Sequence, residues 1–254
     1  MADEVPTPPP ATTNALIFDT SSRVRLGWTE IGFRGDRPKA WDASIGPEAR
    51  ASLRLLSGLF EGKFEVGIAA DRRTNFDFVN TDMLRMDLQL GINTGSWSCL
   101  VEWKGRDVFE EGFGAEFVEL HTYDLRLRKR FAASLFADLP PGLFQASLAA
   151  GYTTSAPTMF ARGFAEFDTE LVQRFGNGFA LIVAPKLALN DYADFFGRNR
   201  KDTTLSLRIV PTYRFANGIT MSLEGQTTFT LSTLEDKTGE TWAVTPIIRL
   251  QKAL

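Results

Sequence analysis

"DLRLRKRF", Asp124 to Phe131, sets arginine at every second position: Arg126, Arg128 and Arg130. Leu125, Leu127, Lys129 and Phe131 stand between and beside them. Successive side chains of a β-strand point to opposite faces, so a strand here gives one face three cations and the other leucine and phenylalanine. The same period of two runs through most of the chain. "LRMDLQLGI" sends Leu84, Met86, Leu88, Leu90 and Ile92 one way and Arg85, Asp87 and Gln89 the other. "LSLRIVPTYRF" and "ITMSLEGQTTFTL" divide in the same manner, with Arg208 and Arg214 on the polar side of the first. Helical periodicity is almost absent.

The chain has 254 residues, 44% of them hydrophobic and 23% charged, with a formal net charge of -3. That suits one large β-domain or two smaller ones, and the balanced charge argues against a general nucleic-acid binder. A single cysteine, Cys99, excludes an intramolecular disulfide framework and any multi-cysteine metal site. No stretch approaches the ~18 consecutive apolar residues of a transmembrane helix. A transmembrane barrel, which alternates apolar and polar residues, remains compatible with the mean hydropathy of -0.11. The start, "MADEVPTPPPATTN", lacks a basic-plus-apolar signal peptide. It reads either as a mature exported start, Ala-Asp-Glu, behind an added initiator methionine, or as an ordinary cytosolic one.

Residues 1–15, rich in proline and threonine, read as an extended tail, and 16–254 as one domain. The alternation predicts about twelve strands, near 21–33, 50–60, 63–71, 83–93, 96–104, 118–137, 143–153, 163–175, 179–190, 203–215, 219–231 and 241–254. Their links alternate in length. Tight ones carry turn chemistry: "EGK" at 61–63, "NTGS" at 93–96, "PPG" at 140–142, "GNG" at 176–178 and "ANG" at 216–218. Longer ones fall near 34–49, 72–82, 105–117, 154–162, 191–202 and 232–240. Short turns at one rim and long loops at the other, with an even strand count, describe an antiparallel up-and-down transmembrane β-barrel. Both chain ends then lie at the short-turn, periplasmic rim. Aromatic residues cluster where the apolar faces end: Trp97, Phe175, Phe179 and Phe215 near the tight turns, and Trp28, Trp103, Tyr152 and Trp242 near the long loops. A soluble lipocalin-like barrel also alternates, but with its apolar side inward.

On these features the chain resembles the outer-membrane β-barrels of Gram-negative bacteria, in the roughly twelve-stranded group. That group includes narrow channels, such as the nucleoside channel and the acidic-oligosaccharide porins, and the outer-membrane phospholipase. The resemblance is architectural, over about residues 20–254. The last strand, "TWAVTPIIRLQKAL", has the apolar alternation of the class but ends in Leu254 rather than the usual phenylalanine or tryptophan. The resemblance implies a bacterial outer-membrane location, with lipid and lipopolysaccharide as surroundings.

Arginine on the lipid side at mid-bilayer costs about 2–4 kcal/mol, which places Arg126, Arg128 and Arg130 in the lumen. Lys129, in the lipid phase, must then lie near the interface, snorkel, or mark a bulge. Two strands on, "FAEFDTELVQRF" sets Glu166, Asp168 and Glu170 on the same inner side. Counting up from the tight turns puts Arg128 and Arg130 near the height of Glu166 and Asp168, across a strand of mostly small residues. Strand spacing separates the two ladders by about 10 Å, which arginine and glutamate can span. Two readings follow: a transverse field across a pore, or a salt-bridge zipper that fills the lumen. Arg208 and Arg214, with other inward arginines, tilt the lumen positive. Phe109 and Phe113, in the loop near 105–117, either fold inward as a constriction or stay exposed. Arg198, Arg200 and Lys201, in "DFFGRNRKD", either meet lipopolysaccharide phosphates or form a solvated loop.

No nucleotide-binding glycine motif or metal-ligand cluster occurs, and no cofactor is expected. The single histidine, His121, falls on the lipid-facing phase, so serine–histidine chemistry has no base in the lumen. Carboxylates are plentiful at the long-loop rim, but no spacing singles out a dyad. The expectation is therefore a chain that is not an enzyme. It is read as a narrow channel for small polar, anionic or zwitterionic solutes. The alternative is a closed barrel serving as a structural or accessory subunit, its Pro-rich tail gripping an outer-membrane or periplasmic partner.

Overall fold

The computed structural model describes residues 15–31, 40–73, 80–134, 142–215 and 219–253. They form twelve strands: β1 (Ala15–Ile31), β2 (Ala40–Ser57), β3 (Phe60–Arg73), β4 (Thr81–Asn93), β5 (Trp97–Glu110), β6 (Glu116–Ala133), β7 (Gly142–Ala156), β8 (Arg162–Gly176), β9 (Phe179–Phe195), β10 (Arg198–Arg214), β11 (Ile219–Ser232) and β12 (Gly239–Ala253). Each pairs antiparallel with its neighbours in the chain, and β1 closes onto β12. The result is the closed up-and-down barrel that the alternation predicts. The tail at 1–14, residues 140–141 of the PPG turn, the ANG turn, and the side chain of Trp28 lie outside the described residues.

The interior is polar and the exterior apolar. Along β6, Tyr123, Leu125, Leu127 and Phe131 are exposed, whereas Asp124 is buried and the three arginines are half-buried. Among the described residues, buried polar and charged groups such as Glu48, Glu65, Glu102 and Asp124 outnumber buried apolar ones. Exposed leucine, isoleucine and phenylalanine form a band far larger than the few hundred Å² that soluble proteins show. A lipocalin-like barrel requires the opposite arrangement. Aromatic side chains pack in pairs at the rim of the chain ends: Phe131 with Phe144, Phe175 with Phe179, and Tyr213 with Phe215, at 4.7, 5.4 and 4.7 Å between ring centres. Toward the other rim, Tyr152 and Trp242 are exposed on the outer face. Lys129 resolves without a bulge: it is the register partner of Trp97 at the first aromatic rim, with Nζ 4.8 Å from that ring.

The strands run further than the hydrophobic alternation indicates. A strand needs about 9–11 residues to cross a bilayer, and β2 has 18 and β9 has 17, against the predicted 50–60 and 179–190. Past the membrane boundary the apolar residues stop but the backbone ladder continues, which hides the true ends from a hydrophobicity reading. "DFFGRNRKD" is accordingly no long loop. β9 reaches Phe195, β10 starts at Arg198, and Phe196 and Gly197, at φ 51° and 74°, make the turn. The β2–β3 turn is Gly58–Leu59, with Gly58 at φ 57°, rather than "EGK".

Candidate functional site: the charged lumen

Inward positions of ten strands carry a nearly continuous belt of ion pairs. On one side of the barrel Glu48 of β2 is the hub. Its carboxylate takes Arg23 of β1 at 2.5 Å, Arg85 of β4 at 3.3 Å, and Arg50 of its own strand. Arg50 also meets Glu65 of β3 at 3.1 Å, and Lys63 meets Glu65 at 2.7 Å. From Arg85 the belt passes to Asp87 and on to Arg106 of β5, at 3.4 and 2.6 Å.

The second hub is Arg126. It lies 3.4 Å from Glu102 of β5, 3.8 Å from Glu166 and 3.0 Å from Asp168 of β8. Lys104 bridges Glu102 and Asp124 at 2.6 and 3.0 Å. Beyond β8, Lys186 of β9 takes Glu166 at 2.7 Å, and Arg208 of β10 joins Glu170 to Glu224 of β11 at 2.9 and 3.5 Å. The inner face of β7 bears no charge, and Arg126 crosses it over Ala149 and Ser147, which are 1% and 2% exposed. Among the described side chains, the inner face of β12 presents Thr245 and buried Ile247. Removing one member of such a set leaves its partners charged and desolvated, so the belt is cooperative.

The two ladders therefore do meet over small residues, but one step out of the expected register. Arg126 pairs with Ala149 and Ala149 with Glu166; Arg128 leads through Ser147 to Asp168, and Arg130 through Gln145 to Glu170. Barrel shear, absent from a count along the sequence, moves the alignment. Of the three arginines only Arg126 reaches the acidic ladder. Arg128 touches Glu102 at 4.0 Å and Arg130 donates to Gln145 at 3.1 Å. Glu170 belongs to Arg208, as given above. Arg214 shares the inward phase of Arg208 but is exposed at the rim of the chain ends.

Among the described residues, two cavities open inside the barrel. The larger, about 500 Å³, spans β5 to β11 and is lined by Lys104, Arg126, Arg162, Lys186 and Arg208 against Asp124, Glu166, Asp168 and Glu170. The smaller, about 180 Å³, lies against β1–β3 toward the rim of the chain ends.

The remaining predicted positions fall outside the lumen belt. Phe109 follows the outward phase of Trp97 and Val101, and its ring packs on Phe113 at 5.6 Å. The backbone N–H groups of Gly112 and Phe113 donate to Asp82, which also holds Arg72 at 2.6 Å. These bonds tie the loop to the outward face of β3 and β4, not across the lumen. Arg200 forms a paired bond to Asp202 at 2.9 and 2.5 Å and stacks on Tyr192 and Phe195 at 4.8 and 4.5 Å. Arg198 and Lys201 are exposed, and Lys201 lies 3.5 Å from Asp191. Glu48, Arg50, Glu65, Glu102, Lys104 and Lys186 are among the belt members that the sequence analysis does not single out. "WSCLVEWKGR" carried the signal, since Glu102, Lys104 and Arg106 alternate with Val101, Trp103 and Gly105.

No protein-family model matches the sequence, and no curated protein matches it. Among solved structures, a loop-deletion variant of OmpT, an outer-membrane protein of Vibrio cholerae, is similar at TM-score 0.45 and 8% identity, covering 94% of this chain and 99% of that one. The translocator domain of the autotransporter NalP from Neisseria meningitidis is similar at TM-score 0.47 and 10% identity, over 92% and 88%. LpxR from Salmonella typhimurium is similar at TM-score 0.50 and 7% identity, over 91% and 99%. The expectation that the chain is not an enzyme is corrected by the last likeness, because barrels of this fold include enzymes, LpxR among them. The missing lumenal histidine spoke only to serine–histidine chemistry; His121 in fact pairs with Glu119 at 2.5 Å on the outward phase. The fold itself is that of the bacterial outer-membrane β-barrels.

Proposed function

We propose that the chain is a narrow outer-membrane channel for small polar solutes, favouring anions and zwitterions, with both chain ends in the periplasm. The observation that carries this reading is the larger cavity, in which five cationic side chains face four carboxylates at mid-barrel. A solute bearing both charges exchanges its hydration for these groups, and the surplus cation favours anions. At the opposite rim, exposed Arg198 and Lys201 are the groups that can meet lipopolysaccharide phosphate, Lys201 by exchanging its pairing with Asp191, while Arg200 is held by Asp202. The belt also supports a second reading, in which its ion pairs close the lumen and the barrel serves a larger assembly. Swelling of liposomes carrying the refolded protein separates the two. Faster uptake of glycine and small organic anions than of a neutral sugar of equal size supports the channel. Equal swelling with and without protein supports the closed barrel.

A further inference from the structure

The smaller cavity is built differently from the larger one. Its walls carry Arg23, Arg50, Arg54 and Lys63 against Asp19, Glu48 and Glu65. Glu48 and Glu65 are withdrawn beneath their partners, with side chains 1% and 9% exposed, whereas Arg50 and Lys63 are 23% and 31% exposed. Asp19 is half-buried on the same wall, so four cations stand against one carboxylate that is not withdrawn, and what the cavity presents is largely cationic. Arg54 sharpens this. It stands directly opposite Lys63 in the β2–β3 register, on the same inner face, just inside the Gly58–Leu59 turn. Lys63 has Glu65, but among the described residues Arg54 has no carboxylate within ion-pair distance, and it is exposed. Like charges directly opposite each other on one face destabilise a strand pair unless something neutralises them.

We infer that this cavity is a binding site for a small oxyanion, with Arg54 and Lys63 as its principal contacts and Arg23 and Arg50 behind them. The planar guanidinium of Arg54 suits two-point contact with a phosphate or carboxylate, and Lys63 adds a point charge. The volume of about 180 Å³ equals roughly six waters, room for one tetrahedral oxyanion with part of its hydration. A larger ligand would enter only by its phosphate end. The inference deepens the channel reading by giving the lumen a discrete anion station. It rests on that reading for the route of entry, not for the binding itself.

The test is titration of inorganic phosphate into the refolded, detergent-solubilised barrel at low ionic strength, followed by calorimetry. Saturable one-to-one binding is expected, weakened about tenfold or more in Arg54→Gln, and in Lys63→Gln, by loss of a charged contact. Lys237→Gln, an equal charge change at the opposite rim, should bind as the parent does. Heat-modifiable migration on gels verifies that each variant is folded. Non-saturable uptake by the parent, or saturable binding that survives Arg54→Gln unchanged, overturns the inference. Phosphate binding by a barrel that conducts nothing would keep the site and remove the channel.

Discussion

Arg126 reaches across β7 to Asp168, placing Nη1 3.0 Å from Oδ2, because the side chains beneath it are Ala149 and Ser147. The reach depends on that low floor. Ala149 sits between Arg126 and Glu166 in the register, so Ala149→Leu fills the space through which the guanidinium passes. Overpacking of this kind costs about 1–3 kcal/mol. Urea unfolding from lipid vesicles should show the loss, and an unchanged midpoint would mean that the bridge lies elsewhere.

Arg126→Met is expected to do more. Glu102, Glu166 and Asp168 would each lose a partner while remaining largely enclosed. Breaking a buried charge set costs about 3–5 kcal/mol. Arg130→Met, which removes only a bond to Gln145, should cost clearly less in the same assay.

The outward face of β6 makes a depth prediction. Leu125 is 57% exposed on the apolar band, and Lys129 lies at the aromatic rim against Trp97. Leu125→Arg should destabilise the vesicle-inserted barrel by about 2–4 kcal/mol, and Lys129→Arg by almost nothing. Equal costs at both positions would contradict the placement of the bilayer.

Close backbone approach makes another. A side chain at Gly151 would run into the Tyr123 carbonyl oxygen of the adjoining strand. Gly151→Ala should therefore reduce the yield of heat-modifiable barrel, whereas Gly163→Ala, where a Cβ meets nothing within 4 Å, should fold normally.

The native cysteine offers a check without mutation. Cys99 is exposed on the outward phase of β5, between Trp97 and Val101. In vesicles it should react with an apolar maleimide and resist a charged one. Rapid labelling by the charged reagent would put β5 in water.

The fold was legible because the membrane-crossing strands keep a period of two, which Leu125, Leu127 and the intervening arginines display without help from tertiary contacts. Strand ends were not legible, because beyond the bilayer Asp191, Arg198 and Lys201 continue the ladder without apolar alternation. The candidate site was half legible. Each strand announced which of its residues face inward, yet the pairing across strands depends on shear, so Arg126 rather than Arg128 faces Glu166. Hubs such as Glu48 and Glu102 were hidden for a related reason. A lone inward carboxylate looks ordinary until the barrel closes and brings arginines from neighbouring strands onto it.

The most direct test of the channel is planar-bilayer conductance of the refolded protein, with the reversal potential read in a salt gradient. Stable unit steps with anion preference are predicted, moving toward cations in Arg128→Glu and toward stronger anion preference in Asp168→Asn. Electrical silence from a correctly folded, heat-modifiable barrel would contradict the account and mean that the ion-pair belt seals the lumen.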